Sequence, residues 1–412
     1  MSWLSSLQAN KVAASTLCGI VLWLAWPVGP AAPLLFVGWI PLLWVEKQLV
    51  GKGNGLKFFF LIWWACLIWN VGTTWWIYHS TAVGSIVAMM ANALLMTLPW
   101  LLFRYTKRMA GSNWGYLSWV LYWCAFEQIH LSWEISWPWL TLGNGFAMYP
   151  EWIQWYEYTG VFGGTIWILL INLGLYQILT NSRQPKGLVA GTCCTLILPI
   201  LISYILFASY QEKGPEVELV AVQPNIDPYT EKFIDSDNFI SFDQQLDRFI
   251  QLSKKGLTDS TEFLLWPETA IDGLFDERIL LASQLPSFKG KEQKEHVNPI
   301  QRLREFKLQV PELSLITGLT SYLPYSSEMK ATPTARWSGN FYYDAYNTAY
   351  FLSDQGSFET YHKSKLVPGP ETMPYPKVFG FLSDLLVDFG GTSGQLAKQS
   401  ERTVFFNSQG IG

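Results

Sequence analysis

Glu268 follows an apolar run, Phe263-Leu264-Leu265-Trp266, and is separated from it by Pro267. The run reads as a buried strand, and proline, which has no N–H for a sheet ladder, ends it. A carboxylate at a strand mouth is partly desolvated yet can reach a substrate, and a raised pKa there suits a general base. Taken alone, a glutamate in a loop is most simply a solvated charge. A second polar stretch runs Tyr361-His362-Lys363-Ser364-Lys365-Leu366-Val367-Pro368-Gly369-Pro370-Glu371. It places Lys363 just past a predicted strand and before a proline-bounded loop. A lysine held beside a carboxylate stays charged and can stabilise an oxyanion. Taken alone, Lys363 and Lys365 are a solvated basic pair.

The elements that must position these groups lie in the second of two unlike halves. Up to about Tyr210 charges are sparse and apolar runs are long; after Gln211 charges become frequent and turn signals regular. The first half, 1–210, reads as a membrane domain. Segments near 12–28, 33–49, 56–78, 83–103, 114–131, 160–179 and 188–209 are apolar enough, and near enough to the roughly 20 residues a helix needs, to predict about seven spans. Lys47, Lys52 and Lys57 fall between the second and third, Arg104, Lys107 and Arg108 between the fourth and fifth, and Arg183 and Lys186 between the sixth and seventh. The alternate loops carry no Lys or Arg, so the positive-inside rule puts everything after the seventh span on the outer face. The long outer loop, 132–159, holds Trp133, Trp137, Trp139, Trp152, Trp155, Tyr156 and Tyr158. It reads as an aromatic arm in the outer interface, either lining lipid entry or anchoring the helices.

The second half, 211–412, alternates strand and helix signals, which predicts an α/β layered domain. Strands are expected at 217–223, 263–266, 314–318, 342–352 (with Asn347 inside) and 358–361, and helices at 239–252 and 299–310. The five cysteines, Cys18, Cys66, Cys124, Cys193 and Cys194, all lie in the apolar half without C-x-x-C spacing, and the four histidines are scattered. That pattern calls for no metal and no cofactor. No basic patch with interleaved aromatics is present, so nucleic acid is not an expected partner.

The pairing of Leu265-Trp266-Pro267-Glu268-Thr269-Ala270 with the Tyr361–Glu371 stretch resembles the nitrilase (carbon–nitrogen hydrolase) superfamily. Preceded by multiple apolar spans, it resembles the apolipoprotein N-acyltransferase family. Trp137-Pro138-Trp139-Leu140-Thr141-Leu142-Gly143, Gly160-Val161-Phe162-Gly163-Gly164-Thr165 and Val222-Gln223-Pro224-Asn225-Ile226 fit that family as well. The resemblance implies an αββα sandwich for the second half and a Glu-Lys-Cys triad. In it Glu268 is the general base, Lys363 stabilises the tetrahedral intermediate, Glu371 supports the site from its loop, and Asn347 is a structural match. It implies a ping-pong reaction at the outer face of the bacterial inner membrane. A cysteine takes an acyl chain from a phospholipid such as phosphatidylethanolamine, and the α-amine of a diacylglyceryl-cysteine lipoprotein takes it from the thioester.

The chain departs from that pattern in one respect. No cysteine lies between Gln211 and Gly412. Residues 402–407 lead toward the strand on which the family's nucleophile is expected, so the nucleophile and a final span are expected beyond Gly412, the α/β domain being incomplete in this sequence. The alternatives are a truncated, non-catalytic membrane protein that binds lipid or lipoprotein, and an outward-facing amidase. A transporter is disfavoured because ionisable residues are few within the spans, Glu127 being the main one.

Overall fold

The computed structural model describes residues 10–27, 31–51, 53–181, 185–234, 237–282, 298–325, 332–379 and 395–412. Lys52 and Arg183, used above in reading loop charge, lie outside them. The described residues form two compact units, one running to Glu212 and the other beginning at Lys213.

The first unit is helical: α1 Lys11–Leu24, α2 Ile40–Gln48, α3 Gly55–Thr74, α4 Ala82–Leu95, α5 Thr97–Ala110, α6 Ser112–Ser132, α7 Tyr156–Thr180 and α8 Lys186–Ser209. Four stretches are long and apolar enough to cross a membrane: Gly55–His79, Ala82–Ala110, Tyr156–Thr180 and Lys186–Ser209. They coincide with four of the seven predicted segments. The others differ in instructive ways. The first predicted segment is helical over only the 14 residues of α1. Helix α6 has 21 residues, enough length, but Asn113, Glu127, Gln128 and His130 interrupt its apolar character.

The second predicted segment, 33–49, is not one helix. A 3₁₀ turn, Ala32–Phe36, gives way to the nine-residue α2. The side chain of Asn172, from α7, occupies the break. Its amide donates to Leu35 O at 2.8 Å, and its oxygen accepts from Trp39 N at 2.9 Å. These are backbone groups at the two sides of the break, which buried chains must pair somehow. Hydrophobic periodicity cannot register a break stabilised by a residue 133 positions away.

The core of this unit is built on indoles. Trp39 is fully buried, with ring centroids of Trp123, Trp100, Trp69 and Trp119 at 4.8, 5.5, 5.7 and 6.3 Å, all of them fully buried too. Of the stretch expected to lie as an arm in the interface, 132–159, the middle packs into this core. Leu140, Leu142, Gly143, Gly145 and Phe146 are buried, while Met148 and Tyr158 remain exposed. Glu127 holds it there. One carboxylate oxygen accepts from Leu142 N at 2.8 Å and from Trp123 Nε1 at 2.9 Å; the other accepts from Thr165 Oγ1 at 2.6 Å.

The second unit is a seven-stranded mixed sheet with helices. Its strands are β1 Glu218–Ala221, β2 Thr261–Leu265, β3 Ile271–Asp276, β4 Ser314–Pro324, β5 Arg336–Trp337, β6 Tyr342–Leu352 and β7 Phe358–His362. The order along the sheet is β1-β2-β4-β6-β5, with β3 added to β4 and β7 added to β6. β1, β2 and β4 run parallel, as do β3 and β4, whereas β6 is antiparallel to β4, β5 and β7. Helices α9 Phe242–Gly256 and α11 Pro299–Gln309 cover the sheet, flanking the short α10 Glu277–Leu280 in sequence. A capping box between Ser241 and Gln244 starts α9. Trp266, at the end of β2, stacks on Phe249 of α9 at 5.0 Å and on Phe306 of α11 at 6.2 Å, and its Nε1 donates to Ser253 Oγ at 2.9 Å. The apolar run before Pro267 thus anchors the site to both covering helices. Residues 402–407, expected to lead into a strand, form none; Phe405 stacks on Phe351 of β6 with centroids 4.8 Å apart.

Candidate active site

Glu268 sits in a gap in a sheet edge. β2 pairs with Ser314–Ile316 of β4, and β3 pairs with Leu319–Tyr322 of the same strand, while β6 occupies the opposite edge from Leu315 to Pro324. Between β2 and β3 the chain leaves the ladder, with Trp266 N donating to Ile316 O at 2.9 Å and Gly318 N to Pro267 O at 3.2 Å. The turn presses on Gly318: a Cβ there would lie 2.4 Å from Thr269 N and 2.7 Å from Glu268 Cα. Thr269 itself has φ of 49°, the left-handed region that β-branched residues avoid.

Lys363 sits at the equivalent point on the neighbouring strand. β7 follows β6 until His362 pairs with Thr348, and Lys363 N donates to Asn347 O at 2.8 Å. The chain then departs, and the same edge of β6 is taken up by Ala397, whose N–H donates to Ala345 O at 2.8 Å. Both groups are therefore carried where a strand exits the sheet and backbone pairing lapses.

The four residues singled out in the sequence converge. Lys363 Nζ donates to Glu268 Oε1 at 3.0 Å and to Glu371 Oε1 at 2.9 Å. Asn347 Nδ2, from β6, donates to Glu371 Oε1 at 3.1 Å and also to Glu268 Oε1. Glu371 is held by its own loop, its Oε2 accepting from Val367 N at 2.7 Å. Exposure separates the two acids: the Glu371 side chain is 15% exposed and that of Glu268 59%. Glu268 is the more exposed of the two, and Glu371 the more enclosed.

The expected raised pKa of Glu268 is corrected. Partial burial pushes its carboxyl up, but hydrogen bonds from Lys363 and Asn347, with the charges of Lys363 and Lys232, outweigh that and hold it below the usual carboxylate range. Burial likewise lowers Lys363, but its bonds to Glu371 and Glu268 more than offset this and leave its ammonium above the ordinary lysine value. At rest the pair is ionised.

Two features of the surroundings carry no clear signal in the sequence. Lys232, in the loop after β1, donates to Thr269 O at 2.7 Å and to Thr269 Oγ1 at 2.8 Å, directly behind Glu268. His362 bonds Glu277 of α10 and stacks on Tyr346 with centroids 3.8 Å apart. The Tyr361–Glu371 motif points to His362 only as a neighbour of Lys363, and nothing local marks Lys232. No group of three or more His, Cys, Asp or Glu with metal-site geometry occurs among the described residues.

A helical unit with segments long and apolar enough to cross a membrane is joined in one chain to a mixed α/β unit bearing a carboxylate–amine–carboxylate cluster at its strand ends. Residues 18–174 match the apolipoprotein N-acyltransferase N-terminal domain. An apolipoprotein N-acyltransferase of Chlorobaculum tepidum is 28% identical over 408 residues, which cover 97% of this chain and 72% of that protein. Apolipoprotein N-acyltransferases of Rickettsia prowazekii and Rickettsia typhi are each 25% identical over 282 residues, 67% of this chain and about half (48%) of theirs. The chain is thus similar over nearly its whole length to an apolipoprotein N-acyltransferase, the family its motifs resemble.

Proposed function

We propose that the chain takes part in N-acylation of lipoproteins, with Glu268 as general base and Lys363 as oxyanion stabiliser. The observation that carries this reading is the Lys363 ammonium held between Glu268 and Glu371 at 3.0 and 2.9 Å, in a chain whose first half matches the N-terminal domain of that family. The reading requires a cysteine thiol as nucleophile, and none lies between Gln211 and Gly412.

In the first half-reaction Glu268 takes the thiol proton, and the thiolate attacks an acyl-ester carbonyl of a phospholipid such as phosphatidylethanolamine. Negative charge collects on the carbonyl oxygen beside Lys363. Collapse breaks the ester C–O bond, the lysophospholipid alkoxide leaves with the proton held by Glu268, and a thioester remains. In the second half-reaction the α-amine of a diacylglyceryl-cysteine lipoprotein attacks the thioester carbonyl. The C–S bond breaks, Glu268 accepts the amine proton, and that proton restores the thiol. Glu371 and Asn347 hold Lys363 and Glu268 in register throughout. The loop charges support an outer-face location for this chemistry, by the positive-inside rule.

The test is trapping of a hydroxylamine-sensitive acyl label on the native protein supplied with a labelled phospholipid. Label is expected on the wild type and lost in Glu268→Gln and in Lys363→Met. Undiminished labelling in both variants overturns the assignment.

A further inference from the structure

We propose that Lys232 is a positioning residue for the reaction, holding the strained turn that presents Glu268. The argument begins with the backbone. Thr269 adopts a left-handed conformation, unfavourable for a β-branched residue and sustained only where the surroundings fix it. Gly318 closes one side of the turn, its N–H donating to Pro267 O at 3.2 Å and its lack of a Cβ leaving room for Glu268 and Thr269. Lys232 supplies the directed hold from the other side, gripping both the Thr269 carbonyl and its hydroxyl from a single ammonium. The lysine is anchored in turn: Gln245, from α9, donates to Lys232 O at 2.8 Å and to Ile240 O at 2.7 Å. A chain of bonds thus runs from a covering helix, through the β1–α9 loop, to the residue next to the proposed base.

Charge points the same way. The charged groups around Glu268 are Lys363 and Glu371 from the far side, and Lys232 with Asp272 from the near side. Burial lowers the Lys232 ammonium, and the charges of Asp272 and Glu268 offset this only in part. Without Lys232, Glu268 keeps Lys363 as its one cationic partner among the described residues and becomes more easily protonated. As its basic form is the working one, activity is then lost at a higher pH as the solution is acidified.

The proposal rests on Glu268 being the base, and the experiment separates the two. In the full native chain, Lys232→Met is compared with Lys232→Arg, following the Glu268 carboxyl by infrared difference titration against Glu268→Gln, with kcat and KM for acyl transfer. A misplaced base by about 1 Å costs on the order of 10²-fold in rate. Lys232→Met is expected to lower kcat by that order with KM unchanged and to move both the carboxyl titration and the acid limb of activity upward; Lys232→Arg, keeping the charge and donors, retains most of the rate. An unmoved titration with unchanged kcat in Lys232→Met overturns the proposal. Should that variant fail to fold, Thr269→Val removes one acceptor at nearly constant shape, and it must shift the rate and titration in the same direction or the proposal falls. If Glu268→Gln stays active, the base assignment fails, while the titration still decides whether Lys232 holds Glu268.

Discussion

The two units bury polar groups in opposite ways. In the helical unit buried polar side chains bond to partners that fix the fold: Glu127 to Leu142, Trp123 and Thr165, Asn172 to Leu35 and Trp39. Asn70, Asn92, His130 and Trp133 form a further chain, with His130 Nε2 at 2.8 Å from Asn92 Oδ1 and Trp133 Nε1 donating to His130 Nδ1 at 2.9 Å. In the α/β unit the cluster is also bonded, yet Glu268 is more than half exposed and shares its partners with Glu371. Charge enclosed and saturated builds a scaffold; charge paired at an open strand end, with one member facing outward, retains the capacity to react. Few ionisable residues in a membrane half are therefore no sign that the half is inert in folding. Glu46 and Lys107 pair at 2.5 Å within it, and Arg104 donates to Leu49 O at 2.6 Å.

That contrast sets the order of effects. Lys363→Met should be the most damaging to activity, by at least the 10²–10³-fold that a lost oxyanion donor costs, with little change in thermal unfolding. Glu127→Ala should do the reverse. It strands three donors, each costing about 1–3 kcal/mol when left unsatisfied, so unfolding in detergent should begin at a clearly lower temperature than for Glu268→Gln. Equal destabilisation by the two would break the comparison.

The pH dependence sharpens it. Glu268 is depressed, so its contribution to stability is present above the unfolded carboxylate value and is lost as pH falls through the lower folded value. Lys363 is raised, so its contribution is complete below the unfolded lysine value and is lost as pH rises through the higher folded one. Unfolding of the wild type measured against Lys363→Met should therefore differ by a constant amount across neutral pH and converge at both extremes. The smallest effect is expected at Arg302, which bonds Asp243 at 2.9 Å and also Asp247 across α9 and α11. Both acids are substantially exposed, so Arg302→Ala should cost within about 1 kcal/mol, read by chemical denaturation.

How much of this was legible in the sequence follows from the range of the forces involved. Periodicity and punctuation are local, and they place β6, with Asn347 in it, at the expected 342–352, and β2 before Pro267. Convergence of Glu268, Lys363, Asn347 and Glu371 came from motif resemblance, because residues up to 103 positions apart meet only through sheet pairing. The broken second segment, the folded aromatic stretch and the grip of Lys232 on Thr269 were not legible. Each depends on a single distant side chain meeting a backbone group, Asn172, Glu127 and Lys232 respectively, which leaves no periodic trace. The sign of the Glu268 shift was missed for the same reason: a strand mouth suggests desolvation, but the two lysines that outweigh it arrive from elsewhere in the chain.

The most direct test of the central claim is the mass of N-terminal lipopeptides from lipoproteins in cells that depend on the reading frame encoding this chain. With the wild-type sequence, the account predicts conversion of diacylated to N-acylated peptides, and retention of the diacylated form in Glu268→Gln and Lys363→Met. Full N-acylation in either variant, at matched protein levels, would contradict it.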